Sequence, residues 1–203
     1  MGRPILHDVS TLVLAAQSLA AAGTAADVTI AAVARASGAP IGSIYHRFAS
    51  RDDLLAESWL DAVSAFQAGF IAALQQPDGP PGLTAALYTT AWARTDVVRA
   101  RLLVLNRARE FGSERWSEPQ RGRARRLAAD LEAHLTAFCE RHLGGSGGKI
   151  RRLVTFALLD LPYAAVRRYL AVGIPPPAEV DDYLASAVLA LLPVAIETSG
   201  SGH

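Results

Sequence analysis

Between Thr29 and Arg51 the chain gathers side chains that can hold a polyanion against a flat apolar surface. His46, Arg47 and Arg51 are basic and suited to clamp phosphate, and Thr29, Ser43 and Tyr45 add hydroxyls that bond phosphate or a base edge. Arg51 has further support from its place at the start of a helix, where backbone N–H groups also attract anions. Pro40 and Ile41 are apolar within this polar set. They suit contact with a thymine methyl, and for Ile41 plain packing is an equally open reading. Ala39 shares the turn with them, and Gly42 permits close approach of the backbone. Along the whole chain no nucleophile–base pair, paired carboxylates or nucleotide loop stands out, so catalysis and a cofactor find no residue support.

Such side chains are useful only if short helices hold them outward. Thr29 is a good N-cap, and Ile30, Val33 and Ala34 then share one helical face. Gly38 stands where a helix needs a left-handed residue to end. Pro40 cannot continue that helix but is well placed to open another. Ile41, Ile44, Tyr45 and Phe48 recur at i, i+3, i+4 and i+7, and Ser50 with Asp53 reads as a capping box for a third helix. Two helices around a tight glycine-bearing turn form a helix-turn-helix, whose second helix can enter a DNA major groove.

The run from Val33-Ala34 through Gly38, Gly42, Tyr45 and Phe48 to Arg51 and Leu54 resembles the DNA-binding domain of the TetR family of bacterial regulators. Three positions depart from that pattern. Pro40 replaces the usual Ser or Thr, Ile41 a polar residue, and Arg47 the usual His. The resemblance covers about residues 8–60 in detail and the remainder in architecture only. It implies an all-α, cytoplasmic, homodimeric transcriptional regulator without enzymatic activity, most simply a repressor, that leaves double-stranded operator DNA when a small effector binds. It assigns DNA contacts to Thr29, Ala39, Pro40, Ile41, Gly42, Ser43, Tyr45, His46, Arg47 and Arg51. The alternative is a helical small-molecule-binding or structural dimer that no longer reads DNA, which a mobility shift at low salt separates.

Composition agrees with a helical fold. Of 203 residues, 51% are hydrophobic, much of that alanine, and positive charge is almost wholly arginine, Lys149 being the one lysine. Cys139 is the sole cysteine, which excludes an internal disulfide framework and fits a reducing compartment. No apolar run reaches the ~18 residues of a membrane span, and Asp8, Gln17 and Ser18 interrupt the apolar N-terminal stretch where a leader would lie. Residues 1–60 carry four arginines against five acids, so net charge does not announce a DNA binder. Arg94–Arg126 carries ten against four. That segment reads as a solvated face, with a second nucleic-acid surface or an anion held by Arg107 or Arg109 as alternatives.

The spacing predicts helices over residues 8–22, over Arg51–Gln76, and, after the Pro77–Gly82 break, over Leu83–Arg94 and Asp96–Phe111. A further helix opens at Ser117–Gln120 and ends near His142. Gly144–Gly148 reads as a disordered connector, Lys149–Val172 as a helix kinked at Pro162, Glu179–Ile196 as the last helix, and Thr198–His203 as a disordered tail. The expected domains are a helix-turn-helix head at 1–50, a linking helix at 51–76, and an effector-binding and dimerisation domain at 83–197. The last two helices are apolar on more than one side, which suits a homodimer formed through them. An apolar effector site is expected from Trp92, Asn106, Arg107, Phe111, Phe138, Phe156, Asp160 and Tyr163. His134, Cys139 and His142 are too few and too widely turned for structural zinc, so no metal is expected.

Overall fold

The computed structural model describes residues 8–192, and every regular element among them is helical. In chain order these are α1 (Val9–Ala22), α2 (Ile30–Ser37), α3 (Ile41–Tyr45), α4 (Arg51–Leu74), α5 (Leu83–Thr95), α6 (Val97–Leu105), α7 (Glu118–Leu143), α8 (Gly148–Thr155), α9 (Leu161–Ala171) and α10 (Glu179–Leu191). The expected tail and the last residues predicted for the final helix lie outside the described residues. None of the described helices is long and apolar enough to cross a membrane.

Two compact units result. The first joins residues 8–63 to Val98–Ala124; the second joins Ser64–Val97 to residues 125–192. The first unit is thus larger than the predicted head, because a later segment folds back onto it. The cause is a row of carboxylates on the first half of α4. Asp52 accepts from Arg115 at 2.9 Å, Asp53 from Gln120, Glu57 from Arg123 at 2.9 Å and Asp61 from Arg99 at 2.9 Å. Arg101 adds a bond to the Ala21 carbonyl at the end of α1, and Trp59 packs on Phe111 with ring centroids 5.1 Å apart.

The core of this unit is formed by Leu12 and Ala16 of α1, Val33 of α2, Ile44 of α3, Phe48, Leu54 and Leu55, with Leu102 and Phe111. Each large side chain buried here contributes about 1.5–3 kcal/mol. One polar group is sunk among them. The amide nitrogen of Gln17, fully buried, donates to the Ser58 carbonyl (2.9 Å) and to Asp61 (2.8 Å), tying α1 to α4. A buried amide of this kind costs several kcal/mol if its partners are removed.

In the second unit α5 packs on α9 and α10. Phe70, Leu135, Phe138, Leu158, Leu184 and Val188 are buried there, with Phe66 stacked on Phe70, tilted against Tyr88 and edge-on to Trp92. The Tyr88 ring lies over Gly69 so closely that a Cβ there would fall 2.1 Å from its hydroxyl, so glycine is required.

Several boundaries differ from expectation for identifiable reasons. Predicted Asp96–Phe111 stops at Leu105 because the Asn106 side-chain nitrogen donates to the Leu102 carbonyl, and Arg107 turns extended to start a 3₁₀ turn closed by Glu110. Gly144–Gly148 is an ordered turn in place of the predicted loose connector. Gly147 caps α8, and Ser146 donates to Glu140 at 3.2 Å. The kink expected at Pro162 takes the form of a π turn over Phe156–Asp160. Proline offers no N–H to the preceding turn, and a widened turn accommodates that loss. A 3₁₀ turn at Ala25–Asp27, capped reciprocally by Thr24 and Asp27, went unpredicted although Thr-x-x-Asp is its sequence signal.

Candidate nucleic-acid interface

The outward face of α3 is set by what surrounds it. Thr29 caps α2, its hydroxyl oxygen accepting from the Ala32 N–H at 3.1 Å, and Gly38 ends that helix at φ 71°. Pro40 opens α3 in extended conformation, and its carbonyl accepts from the Ser43 N–H at 2.9 Å. Ile44 is fully buried and anchors α3 to the core, as does Phe48 just beyond it. With Ile44 turned inward, the opposite side must point to solvent. Pro40, Ile41, Gly42, Tyr45 and His46 are all exposed, Ile41 at 48% and Tyr45 at 55%. A Cβ added to Gly42 would meet nothing within 4 Å. Gly42, Ser43, His46 and Arg47 line an open groove on this surface. The half-buried Arg47 donates to the Ser43 carbonyl at 3.3 Å, which holds it along the helix.

Two of the expected contacts sit differently. Ala39 is buried at 4% exposure, and its N–H donates to the Ser37 hydroxyl, so it shapes the turn instead of facing a base. Arg51 does not extend toward a phosphate. Its Nε donates to the Val28 carbonyl at 2.6 Å, a terminal nitrogen donates to the Ala25 carbonyl, and the other lies 3.6 Å from Asp52. A guanidinium so engaged staples the start of α4 to the 3₁₀ turn before α2, a long-range bond that helix-start reasoning did not foresee. Ser50 and Asp53 cap α4 much as expected, with Ser50 accepting from the Asp53 N–H (3.1 Å) and Asp53 reaching back to the Ala49 N–H.

The arginines of Arg94–Arg126 are mostly spent within the fold. Arg99, Arg101, Arg115, Arg121 and Arg123 bond carboxylates or carbonyls in the first unit, and Arg94 pairs with Asp181 in the second. Of the five acids in residues 1–60, Asp52 and Glu57 are neutralised by arginines from later in the chain, Arg115 and Arg123. Over the described first unit, residues 8–63 and 98–124, the sequence carries ten arginines and nine carboxylates.

The candidate effector residues are divided between the two units. Asn106, Arg107 and Phe111 belong to the first unit, where Phe111 is fully buried core. Trp92, Phe138, Phe156, Asp160 and Tyr163 belong to the second. There Phe138 is core beside His142, while Phe156 and Asp160 of the π turn and Tyr163 of α9 are exposed. Among the described residues no group of His, Cys, Asp and Glu could hold a metal ion. Cys139 is buried, which pushes its thiol up despite the neighbouring Arg151, and His134 bonds the Asp130 carbonyl.

Residues 12–58, which contain this whole arrangement, match the model for bacterial regulatory proteins of the tetR family. The head belongs to the TetR family. The likeness continues in shape through the remaining helices. FadR of Bacillus subtilis, solved in complex with stearoyl-CoA, superposes with a TM-score of 0.67 at 13% identity, over 91% of this chain and 98% of that one. The fatty acid degradation regulator FadR of Bacillus halodurans gives 0.67 at 12% identity, over 95% and 96%. A TetR-family member from Streptomyces coelicolor A3 gives 0.60 at 20% identity, over 91% and 97%. A comparison with curated proteins found no match. At these identities the likeness is one of fold, and the fold is that of the TetR-family transcription regulators.

Proposed function

We propose that this TetR-type chain is a sequence-specific DNA-binding repressor whose operator contacts come from α3 and its flanks. The supporting observation is the outward face of α3, which presents Pro40, Ile41, Gly42, Tyr45 and His46 from a helix locked to its core by Ile44. Ser43 and Tyr45 supply hydroxyls for base edge and phosphate, His46 and Arg47 supply phosphate contacts, and Thr29 can join them at the start of α2. Ser43→Ala combined with Tyr45→Phe removes two hydroxyls without touching the core. A mobility-shift titration on duplex selected by the protein is expected to show a loss of roughly tenfold, about one neutral hydrogen bond or slightly more. Unchanged affinity removes both hydroxyls from the interface.

Helix-turn-helix heads read paired half-sites, so the repressor is proposed to act as a homodimer. Phe156 and Tyr163 on one side, with Tyr183 and Leu189 on α10, are exposed at 48%, 43%, 73% and 38%. Apolar exposure concentrated on the last helices is the surface a two-fold partner would cover. Phe156→Asp with Tyr183→Asp is expected to convert dimer to monomer in light scattering and to weaken operator binding at least tenfold. A dimer that survives both changes places the interface elsewhere.

A small, mostly apolar effector held in the second unit would complete the switch. The aromatic set Phe66, Tyr88 and Trp92 supports that chemistry, as does the acyl-CoA held by the B. subtilis neighbour. An effector that binds one spacing of the paired heads better than another shifts the population between them. Because major-groove half-sites recur every ~34–36 Å, a modest shift releases the duplex.

A further inference from the structure

Resting on the reading of α3 as the DNA-contacting helix, we propose that this helix reads its half-site chiefly through the methyl groups of thymine, with Ile41 and Tyr45 as the contacting side chains. The residue types exposed on α3 leave few other ways to distinguish bases. Discrimination of guanine is ordinarily carried by Arg or Lys and of adenine by Asn or Gln, each bonding two atoms of one base edge. Of these only Arg47 reaches the groove on this face. Arg47 is half-buried and bonded to the Ser43 carbonyl. Ser43 bonds any base edge that offers a donor or acceptor, so it selects little.

What the face does offer is apolar. Ile41 and Tyr45 are one helical turn apart, on the same side, and both are about half exposed. Ile41 is left at 48% exposure on the first turn of the helix, outside the core cluster that Ile44 joins. Pro40 extends the apolar strip, and Gly42 beside it lets the helix backbone come near without obstruction. In the major groove the thymine C5 methyl is the base substituent that rewards such a surface.

The test uses the full-length protein and duplexes enriched from a random pool by repeated binding and recovery. Enriched half-sites are expected to carry thymine where α3 docks. Replacing those thymines by uracil removes the methyl alone and leaves every hydrogen-bonding atom. Affinity is expected to fall roughly fourfold for each methyl removed, the scale of one buried methylene. Uracil placed outside the half-sites is expected to change nothing. In Ile41→Ser the ratio of thymine to uracil affinity is expected to drop toward one while the thermal midpoint stays put. Enrichment of a defined site on which uracil binds as well as thymine overturns thymine readout and leaves the regulator reading intact. A thymine preference that persists unchanged in both Ile41→Ser and Tyr45→Ser overturns the assignment to these side chains. Failure to enrich any duplex overturns the DNA-reading proposal and this one with it.

Discussion

Ile41→Glu is expected to lower affinity for every duplex by roughly a hundredfold or more while leaving the fold intact. The side chain is about half exposed and lies outside the core cluster of the first unit. A carboxylate in the first turn of a helix is mildly favourable to the helix dipole. Surface changes of this kind stay within about 0.5 kcal/mol of the parent stability. In a duplex-bound state, however, the same carboxylate faces a groove lined with phosphates and loses its water. Fluorescence anisotropy at low salt, paired with a thermal melt, separates the two effects. Retained binding with an unchanged melt removes Ile41 from the interface.

Arg51→Ala is expected to destabilise the protein by about 2–4 kcal/mol. Hydrogen bonds from a charged donor contribute about 1.5–3 kcal/mol each where shielded from water. Arg51 makes two, to the Ala25 and Val28 carbonyls, with its side chain about a third exposed, so the upper end of their sum is discounted for solvent. Arg51→Lys retains the charge but cannot bond both carbonyls as the planar fork does, so most of the loss should remain. Urea titration of the three proteins measures this. A phosphate clamp predicts the opposite pattern, with stability unchanged and the salt dependence of DNA binding flattened by about one unit.

The contrast between these residues shows what could be read from sequence. Local rules suffice where neighbours in the chain decide the structure. Thr29 as a cap, Gly38 as a left-handed stop, Pro40 as an opener and Ile44 as an anchor all follow from positions within one or two helical turns. The capping pair at Ser117 and Gln120 is equally local, and it forms reciprocally. Arg51 lies 23 and 26 residues from the carbonyls it bonds, and nothing in the intervening pattern signals that distance. The same limit hid the partners of the α4 carboxylates. Asp52 and Glu57 looked like unneutralised acids in a DNA-binding head because Arg115 and Arg123 lie far along the chain. Ala39 misled for another reason: a residue beside an exposed proline faces inward because Ser37 takes its N–H and bends the turn.

The aromatics illustrate a third limit. Periodicity tells which side of a helix is apolar, but it does not say whether core, partner or ligand covers that side. Phe111 and Phe138 are buried in different units, whereas Phe156 and Tyr163 face outward. All four look alike as apolar positions on a helical stripe.

Operator binding of the kind proposed requires two copies of α3 to enter one duplex from the same side. Hydroxyl-radical footprinting of the selected duplex with the full-length protein tests it directly. The expected result is two protected stretches on one face of the helix, their centres about 10–10.5 base pairs or a multiple of that apart, both lost together in Ile41→Glu. A single isolated footprint, protection on opposite faces, or protection unaffected by Ile41→Glu contradicts it.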